Sequence, residues 1–329
     1  MKKIILFNGG ESEEHEITLL TNGFLKNVLA SLDGYEIHEV MLSKTGEWLY
    51  LDKPCTITAQ KTLETQGKTI PIDGALPFLH GYPGESGPLL ALLELYKIPH
   101  LGPGHEGAVL SFNKISTKYW MEGLSIPVCP SLALRGLEDE DFERGASFLK
   151  EHDRLFVKAS SQGSSKGCRL VSDRQALREA LEEALSLSPY ALLEKVLSAR
   201  ELEVSVYEYR GKLHASYPGE IIVPQGKFYN YEEKYSPQSQ TKTVTRAPDL
   251  DEEVVERIRS YSLRAFQGLK LSDLARIDFF YCERDGIILN EINTFPGLTP
   301  ISMFPKMLES EGPSFRDFLE DRLQALFRP

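Results

Sequence analysis

The sequence predicts an α/β protein of two or three domains whose first domain is built on a parallel sheet. Strand-like apolar runs alternate with helical patterns over the first hundred residues, as in proteins with parallel sheets. The chain has 329 residues, more than one ordinary domain, and 41% of them are hydrophobic, enough for more than one core. A Gly-Pro-Gly segment at 102–104 breaks the alternation and predicts a domain boundary.

The predicted elements follow from the hydrophobic pattern and from the residues that end each run. In the N-terminal part they are a strand at 3–8, a helix at 12–30, strands at 35–42 and 74–79, and a leucine-rich helix at 88–96. Further along they are a helix that contains Lys114 and Lys118, strands at 155–158 and 190–195, and then mostly strands with one helix near 252–268. The long polar and aromatic stretch at 218–245 is typical of a loop that closes over a site.

Composition restricts the class of partner. The net charge of −11 argues against binding nucleic acid or an anionic membrane through a basic surface. The N-terminal apolar run ends at Phe7, too short for a signal peptide, and no run is long enough to cross a bilayer. The cysteines have no CxxC or zinc-type spacing, which indicates free thiols in a reducing compartment. We therefore expect a cytoplasmic protein.

The most informative segment is a predicted hairpin at 275–293. Asp285-Gly286 between two apolar runs is a strong signal for a two-residue turn, which places Asp278 opposite Asn293. Opposed side chains have Cβ atoms about 5 Å apart, and carboxylates with an amide oxygen at that spacing suit magnesium near phosphates. The alternative is the solvated outer face of an edge hairpin. Because side chains alternate, one face carries Arg276, Asp278, Glu291 and Asn293, and the core face carries Ile277, Phe279, Tyr281, Ile288 and Ile292.

Two further segments carry candidate ligands, each with a plain structural alternative. Lys158 ends an apolar strand and precedes a Gly/Ser loop at 160–167 that suits phosphate, although the loop alone also suits a flexible turn. Glu14 follows Gly-Gly after the first strand, where open α/β sheets bind ligands, so it is a candidate for holding an ammonium group. Its alternative role is to interact with the dipole of a helix capped by Ser12.

One motif points to a different class of protein. Residues 102–107 match the dinucleotide-binding pattern GxGxxG. Glu122 lies 20 residues after Gly102, about where that pattern has an acidic residue for the ribose. A proline occupies the tight turn, however, and the segment lies at a domain boundary instead of opening a strand–turn–helix unit. This context argues against a nucleotide-dependent dehydrogenase.

Six segments carry sequence patterns whose order along the chain is informative. They are NGGESEEHEI at 8–17, HGYPGESG at 80–87 with GPG at 102–104, Lys158 with GSS at 163–165, FYNYEEKY at 228–235, RIDF at 276–279 and NEINTFPGLT at 290–299. Together they resemble the D-alanine–D-alanine ligases of the ATP-grasp superfamily, over nearly the whole length of the chain.

The resemblance implies a three-domain ATP-grasp fold with an N-terminal parallel α/β domain. The implied domains are a substrate-binding domain at 1–104, a central ATP-grasp subdomain at 105–194, and a C-terminal ATP-grasp and metal-binding domain at 195–329. The implied cofactors are ATP and two magnesium ions, with manganese as a substitute. The implied assembly is a homodimer without nucleic-acid or membrane partners. The implied reaction joins two D-alanines to D-alanyl-D-alanine through an acyl phosphate, for peptidoglycan synthesis, cell wall biogenesis and cell shape.

The resemblance also implies a role for individual residues. The implied catalytic residues are Glu14, Ser164, Tyr235, Arg276 and Gly297, and the implied substrate-binding residues are His80, Lys234, Ser302 and Met303. The implied nucleotide-binding residues are Lys114, Lys158, Ser165, Glu194, Lys195, Leu197 and Glu201, and the implied metal ligands are Asp278, Glu291 and Asn293. Among them, Glu14, Ser164 and Tyr235 resemble a hydrogen-bonded triad that closes the lid.

The sequence departs from the family pattern at four positions. Where this chain has Ala159, the family usually has proline, and where it has Lys166, the family usually has a small apolar residue. Asn113 and Ser86 both replace an aspartate. We expect Lys166 to face solvent and the activity to be retained. Tyr235 argues against an enzyme of the D-Ala-D-lactate type, while a D-Ala-D-Ser ligase stays open as an alternative. The complete set of catalytic residue types argues against a non-catalytic binding protein.

Overall fold

The structure is a computed structural model that describes residues 1–164, 166–223 and 241–328. The main strands and helices of its N-terminal region were predicted from the sequence, because buried strands and amphipathic helices alternate there. None of the helices within the described ranges is both long and apolar enough to span a membrane. The N-terminal elements are β1 (Lys2–Gly9), α1 (His15–Ala30), β2 (Tyr35–Leu42), β3 (Trp48–Tyr50), β4 (Lys53–Pro54), β5 (Thr56–Ile57), β6 (Thr62–Thr65), β7 (Lys68–Pro71), β8 (Gly74–Leu76) and α2 (Pro88–Leu95).

The N-terminal sheet has the strand order β4-β3-β2-β1-β8, and β1 runs parallel to both β2 and β8. The predicted parallel sheet is therefore confirmed. The centre of β1, residues 4–7, is apolar because both of its faces are covered. Ile4 and Leu6 belong to one hydrophobic core, whereas Ile5 and Phe7 belong to another on the opposite face.

Helix α1 begins later than predicted, and this changes the position of one candidate residue. The helix begins at His15, with Glu14 as its N-cap residue. Residues 12–14 form a turn in which the Ser12 hydroxyl accepts a hydrogen bond from the Glu14 N–H. The predictions that Ser12 caps this helix and that Glu14 lies in its first turn are therefore wrong. The local hydrogen bond of Ser12 competes with helix formation.

The central region contains a sheet with two helices on one face. Its antiparallel strand order is β11-β10-β12-β9, and α5 and α6 cover the face that carries Leu155 and Val157. The alternating pattern puts Lys158 and Glu194 on the opposite face. The elements are α3 (His105–Phe112), α4 (Lys114–Gly123), β9 (Ser131–Leu134), α5 (Asp139–His152), β10 (Leu155–Ala159), β11 (Arg169–Val171), α6 (Arg174–Leu187) and β12 (Ala191–Lys195).

The C-terminal region is built on the largest sheet of the described chain. The strand order is β16-β15-β13-β17-β18, with β14 paired to β13. The elements are β13 (Arg200–Tyr209), β14 (Lys212–Ala215), β15 (Gly219–Ile222), β16 (Lys242–Val244), α7 (Glu252–Gly268), β17 (Leu274–Cys282), β18 (Gly286–Asn293), α8 (Met303–Ser310) and α9 (Phe315–Leu326).

The hairpin of β17 and β18 is confirmed, but its predicted register is wrong. Cys282 pairs with Gly286, so the loop is 283–285 and not a two-residue turn. A bulge then adds Asn290 to β18, so that Asp278 lies opposite Glu291 and not opposite Asn293. The different loop and the bulge each reverse the side-chain alternation of β18 relative to β17. The two reversals cancel, so Glu291 and Asn293 stay on the same face as Arg276 and Asp278.

The bulge also changes which residues of β18 enter the core. Ile287 and Leu289 pack with Phe279 and Ile292 in the C-terminal core. Ile288, which the alternation had predicted for this core, pairs with Phe280 outside it, although its side chain is buried.

Helices α8 and α9 were not predicted, because the sequence beyond Lys195 indicated only one helix. Both are short, and α8 contains Pro305 near its start, where helices tolerate proline. Helix α9 packs against the N-terminal region, where Phe318 and Leu323 share a core with Leu25 and Leu29 of α1. The end of the chain therefore completes the core that the N-terminal sheet begins.

We expect Phe318→Ala to destabilise the protein by about 3 to 5 kcal/mol, because the substitution leaves a cavity in this shared core. Phe318 is 2% exposed, and its ring contacts those of Tyr207, Phe304 and Phe315. Urea denaturation measures the effect. Leu95→Ala is the control, since Leu95 is 73% exposed and its loss should change stability by about 0.5 kcal/mol or less. Equal effects of the two substitutions would contradict the packing of α9 on the N-terminal sheet.

Candidate active site

A cleft between the three regions brings together eight of the predicted site residues. Glu14 lies just after β1 and His80 follows β8, so both are at the carboxyl edge of the parallel sheet, where open α/β folds bind ligands. The other residues come from α4, from the loop after β10 and from the hairpin. The predicted site residues that line the cleft are Glu14, His80, Lys114, Ser164, Arg276, Glu291, Asn293 and Gly297.

Arg276 is the central cation of this cleft. Its Nε donates to Asp278 Oδ1 at 2.8 Å and its Nη2 to Asp278 Oδ2 at 2.7 Å, and Glu203 Oε1 lies 3.3 Å from Nε. Burial disfavours the charged guanidinium, but Asp278 and Glu203 outweigh this effect and raise the pKa of Arg276 well above its usual value. Asn293 Nδ2 donates to Asp278 Oδ2 at 3.0 Å. The arginine is therefore permanently charged and held in one orientation.

Glu85 is a buried carboxyl at the same cleft that was not among the predicted site residues. Its oxygens accept the N–H groups of Gly81 at 2.9 Å and Phe295 at 3.3 Å, so it joins the N-terminal loop to the segment after β18. Burial raises the pKa of Glu85 to about 8, and the negative charge of Glu14 adds to this effect. At neutral pH this carboxyl is therefore protonated in the protein without ligands.

The loop after β10 reaches across the cleft to the N-terminal region. Ser164 Oγ donates to Glu14 Oε1 at 2.5 Å, as expected for two members of the predicted triad. Gly163 lies against the same carboxylate, and a Cβ atom at Gly163 would be 2.4 Å from Glu14 Oε2. A side chain at this position would displace the Glu14 carboxylate, so glycine suits this contact.

Lysines dominate a second part of the site, on the open face of the central sheet. Lys158 forms an ion pair with Glu194, and Lys118 Nζ lies 2.5 Å from the other oxygen of Glu194. Burial opposes ionisation of Glu194, but Lys158 and Lys118 outweigh it and lower the pKa of Glu194 to about 2. Two ammonium groups therefore face one carboxylate, and the excess positive charge suits an anion. Lys114 Nζ, near the loop, donates to the Gln162 carbonyl at 2.6 Å.

The remaining predicted nucleotide residues lie between the central and C-terminal sheets. Lys195 ends β12, and its Nζ lies 3.2 Å from Asp285 Oδ1 in the hairpin loop. Leu197 is partly buried in the connection to β13, and Glu201 lies on β13 opposite Phe280. The structure does not place these three residues in the lining of the cleft described above.

Two predicted substrate residues follow the hairpin. Ser302 Oγ lies 2.8 Å from Thr299 Oγ1, and a Cβ atom at Gly297 would be 2.8 Å from Ser302 Oγ, so Ser302 is next to Gly297. Met303 is buried, and its methyl group faces Gly219 of β15 instead of the cleft. The predictions for Ser165, Lys234 and Tyr235 lie outside the described residues.

Beyond Glu85, sequence reasoning missed three residues that contact the site groups. Lys118 lies one helical turn after Lys114, a spacing that places both on one helix face. Glu203 is a charged residue between the apolar residues Leu202 and Val204 of β13, which was also a usable signal. No sequence signal pointed to Cys168. Burial raises the pKa of its thiol, although the charge of Lys158 opposes this.

The donor atoms at the hairpin are suitable for a hard cation. Asp278 and Glu291 lie opposite each other on paired strands, and Asn293 adds an amide group. Within residues 1–164, 166–223 and 241–328, no group of three or more His, Cys, Asp or Glu side chains is arranged to hold a metal ion. A cation here would therefore depend on the two carboxylates, the amide and ligands from a bound molecule.

Comparisons with known proteins show the family to which this chain belongs. The family model described as D-ala D-ala ligase N-terminus matches residues 3–103, and the model described as D-ala D-ala ligase C-terminus matches residues 123–324. This chain belongs to the D-alanine–D-alanine ligase family. It is therefore an enzyme of an ATP-dependent ligase family, and the ATP-grasp fold is confirmed.

Individual relatives in the family match over their whole length. The D-alanine--D-alanine ligase of Aeromonas hydrophila is 44% identical over 322 residues, which cover 98% of each chain. The solved D-alanyl-alanine synthetase A of Vibrio cholerae is 41% identical, with a TM-score of 0.93 and 99% of both chains covered. The VanG D-Ala:D-Ser ligase of Enterococcus faecalis is 25% identical, with a TM-score of 0.86 and 99% of both chains covered.

The pKa of Glu85 leads to a prediction about stability. The native carboxyl keeps its proton up to about pH 8, whereas the ordinary value is 4.5, so between these values the native state binds more protons than the unfolded state. Stability therefore falls as pH rises through this window. Glu85→Gln removes the titration and retains an oxygen acceptor. We expect the stability of this variant relative to the parent to rise with pH, by on the order of 1 kcal/mol per pH unit.

Urea denaturation of both proteins without ligands, at several values between about pH 5 and about pH 8, measures this difference. A difference in stability that does not change with pH would contradict a protonated Glu85.

Proposed function

We propose that this enzyme joins two D-alanine molecules to D-alanyl-D-alanine and converts ATP to ADP and phosphate. The observation that carries the proposal is the unequal distribution of charge around one cleft of a chain in this family. Carboxylates surround Arg276 at one end, and lysines exceed carboxylates at the other. The first end suits ammonium groups and a metal cation, and the second suits a phosphate chain.

The proposed reaction has two steps because a free carboxylate is a poor acyl donor. An oxygen of the first D-alanine carboxylate attacks the γ-phosphorus, the bond to ADP breaks, and an acyl phosphate forms. The amine of the second D-alanine then attacks the acyl carbon and loses a proton, and phosphate leaves. The product is the dipeptide, which would serve peptidoglycan precursor synthesis and hence cell wall biogenesis and cell shape.

Lysines of the central region support the first step. Lys158 and Lys114 would face the phosphates as positive charges, while Glu194 holds Lys158 in place. Because Lys118 takes the other oxygen of Glu194, the ammonium of Lys158 is not fully neutralised by that carboxylate. The other residues proposed to hold the nucleotide are Ser165, Lys195, Leu197 and Glu201.

The hairpin carboxylates support the same step through a metal. Asp278, Glu291 and Asn293 would hold two magnesium ions, for which manganese substitutes. Bound there, magnesium supplies positive charge that offsets the charge of the transferring phosphoryl group. Arg276 holds Asp278 in a fixed orientation through two hydrogen bonds, so this ligand is already positioned before a metal binds.

The second step develops negative charge on the acyl oxygen. The Arg276 guanidinium and the Gly297 N–H would donate to that oxygen. A side chain at Gly297 would meet Ser302, so glycine allows the Gly297 backbone and the Ser302 hydroxyl to lie close together. Glu14 would bind the first ammonium group and Ser302 the second carboxylate, with Ser164 and Tyr235 completing the triad. His80, Lys234 and Met303 would contribute to substrate binding.

Two further parts of the proposal come from the family resemblance. We propose a homodimer and a cytoplasmic location, where ATP is available. Size-exclusion chromatography with light scattering tests the first of these.

A coupled assay tests the proposed activity directly. Phosphate release is measured with ATP, magnesium and D-alanine, and mass spectrometry identifies the product. We expect phosphate and D-alanyl-D-alanine in equal amounts, with no product from L-alanine. Parallel reactions with added D-serine and D-lactate distinguish the related ligases, and a mixed product formed in preference to the D-alanine dipeptide would contradict the proposal.

We expect Glu291→Gln to reduce turnover by at least about a hundredfold, because an amide binds a divalent cation more weakly than a carboxylate. Phosphate release over a series of magnesium concentrations measures the effect. Glu283→Gln is the matched control, since Glu283 is exposed in the loop of the same hairpin and should leave turnover unchanged. Near-normal turnover by the Glu291 variant, with the fold intact by circular dichroism, would refute the metal assignment.

A further inference from the structure

Lys166 makes a contact across the cleft that its position in a Gly/Ser loop did not predict. Its Nζ lies 2.7 Å from Glu13 Oε1, and the two side chains are 40% and 76% exposed. Lys166 is exposed, as expected, but its ammonium is also paired with a carboxylate of the N-terminal region. The pair joins the loop after β10 to the turn before α1, two segments that are far apart in the sequence.

The Lys166–Glu13 pair lies at the outer opening of the candidate active site. Both residues line a second cleft, which shares Glu14 and Ser164 with the inner one. The hydrogen bond and charge of Lys166 lower the pKa of Glu13. Because both side chains are largely exposed, charge and not apolar packing carries this contact.

The contacts before Lys166 indicate what the pair holds in place. Ser164, two residues earlier, donates to Glu14, the neighbour of Glu13. The backbone of Ser164 has a φ of 50°, in the left-handed region. That conformation is unfavourable for a residue with a side chain and persists only where surrounding contacts maintain it. Two residues of one segment, two positions apart, therefore bind two adjacent residues of the other.

We propose that Lys166 is a positioning residue whose ion pair with Glu13 holds the loop so that Ser164 stays bonded to Glu14. Lys166 itself does not contact substrate in this proposal, and it acts through Ser164 and Glu14. The proposal rests on the proposed function only for the identity of the amino acid that Glu14 binds. Because the pair forms without ligands, its loss lowers the fraction of molecules that are ready to bind and raises the apparent KM.

The first test removes the charge and keeps the length of the side chain. In Lys166→Met at low ionic strength, the KM for D-alanine should rise about two- to fivefold, with kcat within about twofold of the parent. In about 0.5 M sodium chloride the difference should become smaller, because salt weakens an ion pair between exposed side chains. Glu13→Gln should have the same effect, and combining the two substitutions should add nothing.

A charge exchange and a matched control make the test specific. Lys166→Glu should weaken binding further, because it places two carboxylates together. Adding Glu13→Lys to it should restore KM to within about twofold of the parent. Lys44→Met is the control: Lys44 lies 3.1 Å from Glu16 within the N-terminal region, so the substitution removes the same charge without breaking a contact across the cleft. Its KM should equal that of the parent.

Hydrogen–deuterium exchange of the ligand-free protein follows the loop without any turnover. Amides at 160–167 should exchange faster in Lys166→Met at low salt and return to parental rates in the charge-exchanged protein. Unchanged exchange in Lys166→Met, or additive effects of the two single substitutions on KM, would overturn the proposal. Failure of the parent protein to form the dipeptide would instead overturn the proposed function and leave the exchange result to decide the positioning role.

Discussion

The bidentate pair of Arg276 with Asp278 is the interaction on which the candidate active site depends. Buried charges are tolerated only when they are paired, and removing one partner of such a pair is strongly destabilising. Arg276 also approaches Glu203, so one guanidinium compensates carboxylates from two adjacent strands. An arginine suits this position because it cannot release its proton under ordinary conditions. The pair thereby holds Asp278 in one orientation and balances the charge of the carboxylates beside it.

The same principle of compensation explains the rest of the charge distribution. At Glu85 no cation among the described residues is close enough to balance the charge. Burial there raises the pKa of the carboxyl, which favours the protonated, uncharged form. Where lysines exceed carboxylates, as around Glu194, the uncompensated charge is positive and faces the side proposed for phosphates. A site with these two ends can hold an acidic and a cationic reactant close together without mutual repulsion, as the proposed ligation requires.

Contacts between regions hold these ends in one geometry. Glu85 accepts the N–H of Phe295, and Asp273 accepts the N–H of Gly102 at 2.8 Å, so the N-terminal region is bonded to the C-terminal one. The second contact also accounts for the GxGxxG segment, because its first glycine takes part in an interface instead of a dinucleotide site. Ser164 adds a contact from the central loop. Substitutions of Glu85 or Asp273 would therefore alter the relative position of the reactants without removing a residue proposed to be catalytic.

The sequence by itself determined the parallel N-terminal sheet, the positions of helices α1, α2, α4 and α7 and the residue types of the site, because hydrophobic alternation and glycine punctuation are local properties. Only the tertiary structure decided that the bulge at Asn290 keeps Glu291 on the face of Asp278, since two compensating changes of register cannot be read from a turn signal. It also decided the protonation of Glu85 and the partner of Lys166. Burial and ion pairs depend on segments that are distant in the chain, and a single sequence does not reveal which of them meet.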